Sequence, residues 1–242
     1  MKLICYITFG YPSIDASRAL IDDYIAAGCD TVEIDLPTPK PLFVNDLIRT
    51  GMEQALSTCS DYDAYLAGVA KVHADHPHTS IIFTLFESVI MDVGADKMLD
   101  FCKANAEAII YVGGEHPEVR QKFIDAGVKV GSFIQYHLPE EEVEAAKCAN
   151  GFIYVQAKPG KVKLGYEKLS DCIDYLKANG LADRQFYCGM SINEPEDVRM
   201  VRESGADGVF AGSIILKLRE DSDALKQMIK RLAREARGDN PA

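Results

Sequence analysis

A short apolar run followed by a longer amphipathic stretch occurs eight times along this chain. Each run has the length of a buried β-strand, and each longer stretch shows the periodicity of a helix. The predicted strands are residues 3–8, 31–35, 80–85, 108–112, 128–134, 151–155, 185–188 and 207–210. The predicted helices are residues 14–27, 44–57, 61–75, 94–105, 117–126, 139–148, 167–179, 195–204 and 220–236.

Glycine marks the ends of several predicted helices. The segments AAGCDTV, DAGVKV and ESGADGV each place a glycine just past a helix, where a left-handed residue ends it, and a strand follows. Strands that are apolar on both faces favour a parallel sheet covered by helices. Eight such units predict an α/β fold, a (β/α)8 TIM barrel, with residues 1–242 as a single domain. A doubly wound open sheet is the alternative.

Composition argues against several classes of protein. A net charge of −11 and a pI near 4.9 argue against a nucleic-acid partner, because nucleic acids are bound by clustered Lys and Arg. No apolar run is long enough to span a membrane. The apolar N-terminal run stops at Gly10 and Pro12 without a cleavage signal, which predicts a strand and no signal peptide. The seven cysteines stand singly, so neither a disulfide framework nor a metal site is expected, and the expected location is the cytoplasm.

The loops after the last three predicted strands are candidates for an anion site. In a barrel of this kind, functional residues lie at the carboxyl ends of the strands. Backbone N–H groups at glycines can approach an anion closely, and a short helix starting at Gly212 and Ser213 would direct its positive end to the same place. The sequence therefore predicts phosphate binding by Gly165, Gly189, Gly212 and Ser213. Ordinary turn glycines are the simpler alternative.

The segment VEIDLPTPKP, residues 32–41, places two acids at the end of a strand and three prolines directly after it. A carboxyl group inside the mouth of a barrel is costly to desolvate, so the pKa of Glu33 should rise, which suits general acid–base catalysis. A structural ion pair with Lys40 or Lys161 is the alternative. Glu33 and Asp35 share one face of the strand, so at least one of them is expected in the lumen.

Together these segments resemble the tryptophan synthase alpha subunit family over nearly the whole chain. YITFGYPSIDAS resembles its first strand and turn, and AGCDTVEIDLP resembles its A-G-A-D-x-x-E-L-G-x-P segment, which places Glu33 on the catalytic glutamate. GFIYV resembles its sixth strand with a tyrosine, here Tyr154. CGMSINEPEDV and ADGVFAGSII resemble its two terminal phosphate loops and carry Gly189, Gly212 and Ser213.

The resemblance implies a lyase that cleaves indole-3-glycerol phosphate by retro-aldol chemistry into indole and glyceraldehyde 3-phosphate. Glu33 would move protons at the indole ring and side chain, and Asp46 is the candidate for the loop aspartate that holds the indole N–H. The substrate pocket would include Tyr6, Phe86, Tyr154 and Lys161. The resemblance implies no metal or organic cofactor in this chain. A beta subunit with pyridoxal phosphate would be the partner that receives indole.

Two loops and a strand end depart from the family pattern. PTPKPLFVNDL replaces P-F-S-D-P-x-A-D-G-P, so Val44 stands at the position of the aspartate and Asp46 lies two places further on. The sixth loop reads GKVKLG in place of G-V-T-G, and Phe86 and Ser88 replace a tyrosine and an asparagine. These departures leave two alternatives open. One is a diverged barrel enzyme that acts on another phosphorylated small molecule, with Glu33 and a lysine sharing the proton transfers. The other is a catalytically silent phosphate-binding subunit that regulates a partner.

Overall fold

The computed structural model describes residues 1–239. Its eight strands are β1 (Lys2–Thr8), β2 (Thr31–Asp35), β3 (Ser80–Phe86), β4 (Ala108–Val112), β5 (Val130–Ile134), β6 (Ile153–Gln156), β7 (Phe186–Gly189) and β8 (Gly208–Ala211). Its α-helices are α1 (Ile14–Ala26), α2 (Asp46–Thr58), α3 (Tyr62–Asp75), α4 (Glu87–Val93), α5 (Ala95–Asn105), α6 (Pro117–Asp125), α7 (Glu140–Lys147), α8 (Leu169–Leu176), α9 (Pro195–Glu203), α10 (Ser213–Leu216) and α11 (Ser222–Arg237). A π-helical turn, Lys177–Leu181, continues α8.

The strands are parallel and pair in chain order until the barrel closes. At the closure, Lys2 of β1 lies opposite Gly208 of β8, and Cys5 lies opposite Ala211. Closure removes the two edge strands that an open sheet would have. The predicted (β/α)8 barrel is therefore confirmed, and the doubly wound alternative is wrong. The predicted single domain of residues 1–242 includes 240–242, which lie outside the described residues.

The predicted elements agree with the observed ones except near the end of β3. β2 and β4 have the predicted bounds, and β5 begins two residues later than predicted, at Val130. Helix α2 begins at Asp46 because Asn45 is its N-cap, with a side chain that accepts the N–H of Ile48. Helix α4 was not predicted. It follows β3 without a turn, and Phe86 at its N-cap position offers no capping side chain, so no boundary signal marks it.

Buried apolar side chains form two clusters on the two faces of the barrel. The larger lies between strands and helices, where Leu3, Cys5 and Ile7 of β1 pack with Ile21 and Tyr24 of α1. The smaller fills the lower lumen and consists of Ile4, Ile82, Ala108, Phe152, Tyr187 and Phe210. Because the lower lumen is filled by these side chains, polar groups begin only toward the carboxyl ends of the strands. We call this end the mouth.

No helix within residues 1–239 combines the length and the apolar character that spanning a bilayer requires.

Candidate active site

Glu33 lies in the middle of β2 with its side chain in the lumen, 7% exposed. The Thr84 hydroxyl of β3 donates a hydrogen bond of 2.7 Å to its Oε1. Burial raises the pKa of Glu33 to about 7, and the bond from Thr84 opposes part of that shift. Within residues 1–239, neither Lys40 nor Lys161 forms an ion pair with it. A carboxyl group with this pKa can take up or release a proton near neutral pH.

A second carboxyl group, Asp35, lies on the same face of β2 and is 1% exposed. The Tyr6 hydroxyl donates to its Oδ2 at 2.7 Å and lies 3.2 Å from Thr8 Oγ1. Burial raises the pKa of Asp35 well above its ordinary value, the bond from Tyr6 opposes this, and the charge of Glu33 adds to it. Its Oδ1 has no hydrogen-bond partner among the described residues. Both acids of β2 therefore face the lumen, where at least one was expected.

The register of the first three strands brings this polar group together. Tyr6 lies opposite Glu33, and Asp35 lies between Thr8 on β1 and Thr84 on β3. Alternation along each strand then directs all five side chains inward. The inward orientation of the two acids follows from the sequence of β2 alone. Their hydroxyl partners depend on how distant segments of the chain pair. Sequence reasoning therefore missed Thr8 and Thr84.

Aromatic rings form the opposite wall of the lumen. Tyr154 of β6 stacks on Phe210 of β8 with ring centroids 4.4 Å apart, and Phe133 of β5 meets Tyr154 edge-on at 5.5 Å. Burial raises the pKa of Tyr154 well above its ordinary value, and the charge of Glu33 adds to the shift. Phe133 is 38% exposed, so the lumen is open to solvent on this side. Tyr154 therefore lies in the lumen together with Phe133, and its role in a substrate pocket stays a prediction.

Three of the four predicted phosphate residues lie at the ends of β7 and β8, beside this wall. A methyl group on Gly189, the last residue of β7, would lie 2.5 Å from the hydroxyl oxygen of Tyr154, so only glycine fits there. At Gly212 the nearest atom to such a methyl group would be Tyr6 Cβ at 3.8 Å, which leaves the backbone before α10 open. Ser213 is the first residue of α10, and the first N–H groups of a helix have no partner within it. Phosphate binding at this place stays a prediction.

The loop after β6 carries two other predicted residues and is mostly exposed. Gly165 has a φ of 88°, and its N–H donates to Glu167 Oε1 at 3.0 Å. Lys161 is exposed and makes no ion pair within residues 1–239. The loop is fixed at its beginning, where Lys158 Nζ lies 2.6 Å from Asp197 Oδ1. The structure does not bring Gly165 or Lys161 into contact with the carboxyl groups of β2.

The loop after β2 is joined to the predicted phosphate site, although not through the predicted residue. Asn45 Nδ2 donates to Ser213 Oγ at 3.0 Å. Asp46 is exposed at the start of α2 and has no contact with the carboxyl groups of β2. Phe86 is 2% exposed and packs in the larger apolar cluster. The roles predicted for Asp46 and Phe86 stay predictions.

Glu87 anchors the loop after β4 and is 7% exposed. Its carboxylate accepts hydrogen bonds from the Tyr111 hydroxyl at 2.6 Å and from the backbone N–H groups of Gly114, Glu115 and His116 at 3.3, 3.0 and 2.6 Å. Burial raises the pKa of Glu87, but the four bonds outweigh it and leave the pKa below its ordinary value. This part of the rim is therefore held by a charged group.

Within residues 1–239 no group of three or more His, Cys, Asp and Glu side chains is placed to hold a metal ion. All seven cysteines are unpaired.

Comparisons with known proteins agree with one another. The family model for the tryptophan synthase alpha chain matches residues 1–240. The tryptophan synthase alpha chain of a Picosynechococcus species is 28% identical over 221 residues, which cover 89% of this chain and 83% of that protein. The alpha chain of Actinobacillus pleuropneumoniae serotype 3 is 24% identical over 239 residues, covering 95% of this chain and 88% of the relative.

Solved structures have the same fold. The tryptophan synthase alpha subunit of Legionella pneumophila superposes with a TM-score of 0.79 at 22% identity, covering 98% of this chain and 93% of that chain. A chain of tryptophan synthase from M. tuberculosis superposes with a TM-score of 0.81 at 21% identity, covering 97% and 93%.

Proposed function

Because the chain belongs to the tryptophan synthase alpha chain family, we propose that it cleaves indole-3-glycerol phosphate to indole and glyceraldehyde 3-phosphate, with Glu33 moving protons. The observation that carries this proposal is the buried, unpaired carboxyl group of Glu33, whose pKa is raised to about 7. It faces an aromatic wall that can accept a flat ring. The ends of β7 and β8 lie beside that wall, with open backbone at Gly212.

The cleavage requires that one proton leaves the substrate and another arrives. The side-chain hydroxyl next to the ring loses its proton, its electrons form the aldehyde C=O, and the bond to the indole ring breaks. The electron pair of that bond returns to the ring, and the ring carbon gains a proton. Glu33 in its ionised form takes the hydroxyl proton, because a base is most effective when its pKa lies near the working pH.

The two ends of the substrate fit the two walls of the mouth. The indole ring would lie against Phe133 and Tyr154, since aromatic rings prefer edge-on and offset stacking contacts. The phosphate would lie against Gly189, Gly212 and Ser213, where α10 directs its N-terminus. Gly165 and Lys161 would reach it only through movement of the loop after β6, which is exposed.

Asp46 is proposed as the residue that holds the indole N–H, on the condition that the loop after β2 rearranges. Asp46 is exposed and two places beyond Val44, which stands at the position of the family's aspartate. This same departure favours the second candidate function, a diverged enzyme that acts on another phosphorylated small molecule. The two candidate functions differ in their substrate, which is indole-3-glycerol phosphate for the first and another phosphorylated molecule for the second.

The test is indole release from indole-3-glycerol phosphate by the purified chain, with and without a beta subunit. The variant Glu33→Gln keeps the size of the side chain and is expected to lower kcat/KM about 10²- to 10⁴-fold. The exposed Glu53→Gln is the matched control and should leave the rate unchanged. Absence of turnover by the wild type, together with tight binding of glycerol 3-phosphate, would contradict the lyase reaction and favour the second candidate.

We also propose that a pyridoxal-phosphate beta subunit binds at the mouth. Seven large apolar side chains of residues 1–239 are exposed, and five of them lie in the loops after β2, β6 and β7. These five are Leu42, Phe43, Val162, Leu164 and Met190. Exposed apolar side chains gathered on loops at one end of a barrel favour an interaction site there. The unpaired cysteines agree with the cytoplasmic location that we propose for the complex.

The partner proposal is tested with the double variant Phe43→Ser and Leu164→Ser. Phe43 is 96% and Leu164 is 93% exposed, so their replacement should not affect folding. We expect at least a tenfold weaker affinity for the beta subunit by titration calorimetry. Met91→Ser, a change at a 48% exposed residue of α4, is the control. If the wild type, the double variant and Met91→Ser bound the beta subunit with equal affinity, the interface would not include Phe43 and Leu164.

A further inference from the structure

We propose that Asp35 is a second proton-transfer residue at the mouth. Its Oδ1 gives a proton to the ring carbon of the substrate, whereas Glu33 takes the proton of the substrate hydroxyl. This inference rests on the proposed lyase function and adds a role that no predicted site residue fills. It depends on the position of Asp35, on the way its two oxygens are held, and on the groups around it.

The two oxygens of Asp35 have different surroundings. Oδ2 accepts the Tyr6 hydroxyl at 2.7 Å, and Tyr6 in turn lies 3.2 Å from Thr8 Oγ1. Oδ1 is buried and has no partner in residues 1–239. Buried polar atoms are nearly always hydrogen-bonded in folded proteins, so an exception calls for an explanation such as a catalytic role. Tyr6 and Thr8 therefore fix the carboxyl group and leave one oxygen for a ligand.

The groups that face Asp35 favour a carboxyl group that keeps its proton. Glu33 lies two residues away on the same face of β2, and Tyr6 comes from β1. Beyond Thr8, the Arg219 guanidinium lies near Gly51 and stacks on the ring of Tyr11. No basic side chain lies within 4.0 Å of Asp35 in the described chain. Burial, opposed by the bond from Tyr6 and assisted by the charge of Glu33, raises the pKa of Asp35 well above its ordinary value.

The second residue completes the proton balance of the cleavage. Ionised Glu33 takes the hydroxyl proton as the C=O forms and the carbon–carbon bond breaks. Protonated Asp35 gives its proton to the ring carbon, which keeps the electron pair of the broken bond. Glu33 ends protonated and Asp35 ends ionised, so the total charge of the pair is unchanged. Exchange of protons with solvent after product release restores both groups.

Access to Oδ1 depends on the loop after β2. Asp35 is 1% exposed in the free protein, so the segment that follows it has to move before a substrate touches the group. That segment is held by three hydrogen bonds, between Thr38 and Ser88 at 2.9 Å, from Asn45 to Ser213 at 3.0 Å, and from the Tyr62 hydroxyl to the Pro37 carbonyl at 2.9 Å. Each bond involves a side chain, so all three can break without unfolding a strand or helix.

The first test does not depend on turnover. Carboxyl ¹³C NMR follows the titration of the wild type and of Asp35→Asn, with and without 3-(indol-3-yl)propyl phosphate, which lacks the hydroxyl that reacts. We expect one high-pH titration to vanish in Asp35→Asn and the analogue to shift the Asp35 signal of the wild type. A wild-type Asp35 signal that titrates in the ordinary range, or that the bound analogue leaves unmoved, would overturn the inference even if no indole is formed.

The second test uses the rate. In the wild type, kcat/KM should rise with pH through about 7 as Glu33 ionises and fall at higher pH as Asp35 loses its proton. Asp35→Asn should lower kcat about 10²-fold or more with KM changed less than about threefold, and should remove the fall at high pH. Asp30→Asn, an aspartate that accepts the Leu3 N–H at the other end of β2, is the control with an unchanged profile. A wild-type kcat and profile in Asp35→Asn would show that Glu33 acts alone.

Discussion

Two buried glutamates of this barrel are equally covered and yet differ in the direction of their pKa shifts. Glu33 in the lumen and Glu87 at the rim are both 7% exposed. Glu33 accepts one hydrogen bond, from a hydroxyl, and its pKa is raised to about 7. Glu87 accepts four, three of them from backbone N–H groups, and its pKa lies below the ordinary value. Glu33 lies deep in the lumen and accepts one donor, whereas Glu87 lies at the rim and accepts four, so the depth of burial and the number of donors together decide whether a covered carboxyl group keeps its charge.

The difference separates a chemical role from a structural one. Glu87 is stabilised as an anion, so it holds a loop well and would be a poor base. Glu33 is poorly stabilised as an anion, so it can exchange a proton at neutral pH at a cost in stability. The barrel thus has in its lumen a carboxyl group whose ionisation destabilises the fold, and at its rim one whose charge is stabilised by hydrogen bonds.

The largest expected effect is on the stability of Glu33→Gln. The pKa of Glu33 in the folded chain, about 7, lies above its ordinary value of 4.5, so ionisation destabilises the fold as pH rises between these values. The neutral glutamine removes this penalty and still accepts the Thr84 hydroxyl. We expect the variant to match the wild type at pH 4, below the ordinary pKa, and to be more stable by up to about 3 kcal/mol at pH 8. Urea unfolding at both pH values measures this, with Glu53→Gln as the control; parallel pH profiles for all three proteins would refute it.

The replacement Glu87→Gln should have the opposite sign. An amide cannot accept four donors, and its NH₂ group would face backbone N–H groups. We expect a loss of about 2 kcal/mol at pH 7, within the range for unsatisfied buried partners. Because the folded pKa of Glu87 lies below its ordinary value of 4.5, its contribution is present above that pH and is lost as pH falls below it.

The same unfolding experiment, repeated between pH 3 and pH 7, checks the Glu87 prediction. The difference between Glu87→Gln and the wild type should shrink toward acid pH. If both glutamate variants shifted stability in the same direction at pH 8, the contrast between the two carboxyl groups would be wrong.

The smallest effect is expected from Thr84→Val. The variant keeps the shape of the side chain and removes the one donor that lowers the pKa of Glu33. The pKa of Glu33 should therefore rise further, and the variant should lose about 1 kcal/mol at pH 8 and less at pH 5. Carboxyl ¹³C NMR of Glu33 measures the midpoint directly. Thr50→Val on the exposed face of α2 is the control. If the titration midpoint of Glu33 did not move in Thr84→Val, Thr84 would not lower the pKa of Glu33.

The sequence allows the barrel to be predicted because its signals are local. Apolar runs, helix periodicity and glycines after helices recur within each unit, and the two-residue period of β2 places Glu33 and Asp35 on one face. The partners of these groups depend on contacts between distant segments. Thr84 lies 51 residues from Glu33, and Ser213 lies 168 residues from Asn45.

The role of Glu87 could not be predicted for a related reason. Its helix α4 has no capping side chain and no turn before it, so the sequence shows no boundary at Glu87. Its donors come from a loop whose backbone conformation becomes known only with the fold. For the same reason, the exposed position of Asp46 and the buried position of Phe86 were not apparent from their places in the sequence.

Within residues 1–239 no cation lies beside Glu33 and Asp35, which has a thermodynamic consequence for any phosphate ester that enters the lumen. A dianion meets the least repulsion when both acids are neutral, so complex formation takes up protons from the buffer. The association constant then falls as the solution becomes more alkaline, by linkage. The affinity of this barrel for anionic ligands is thereby set in part by the acidity of the solution.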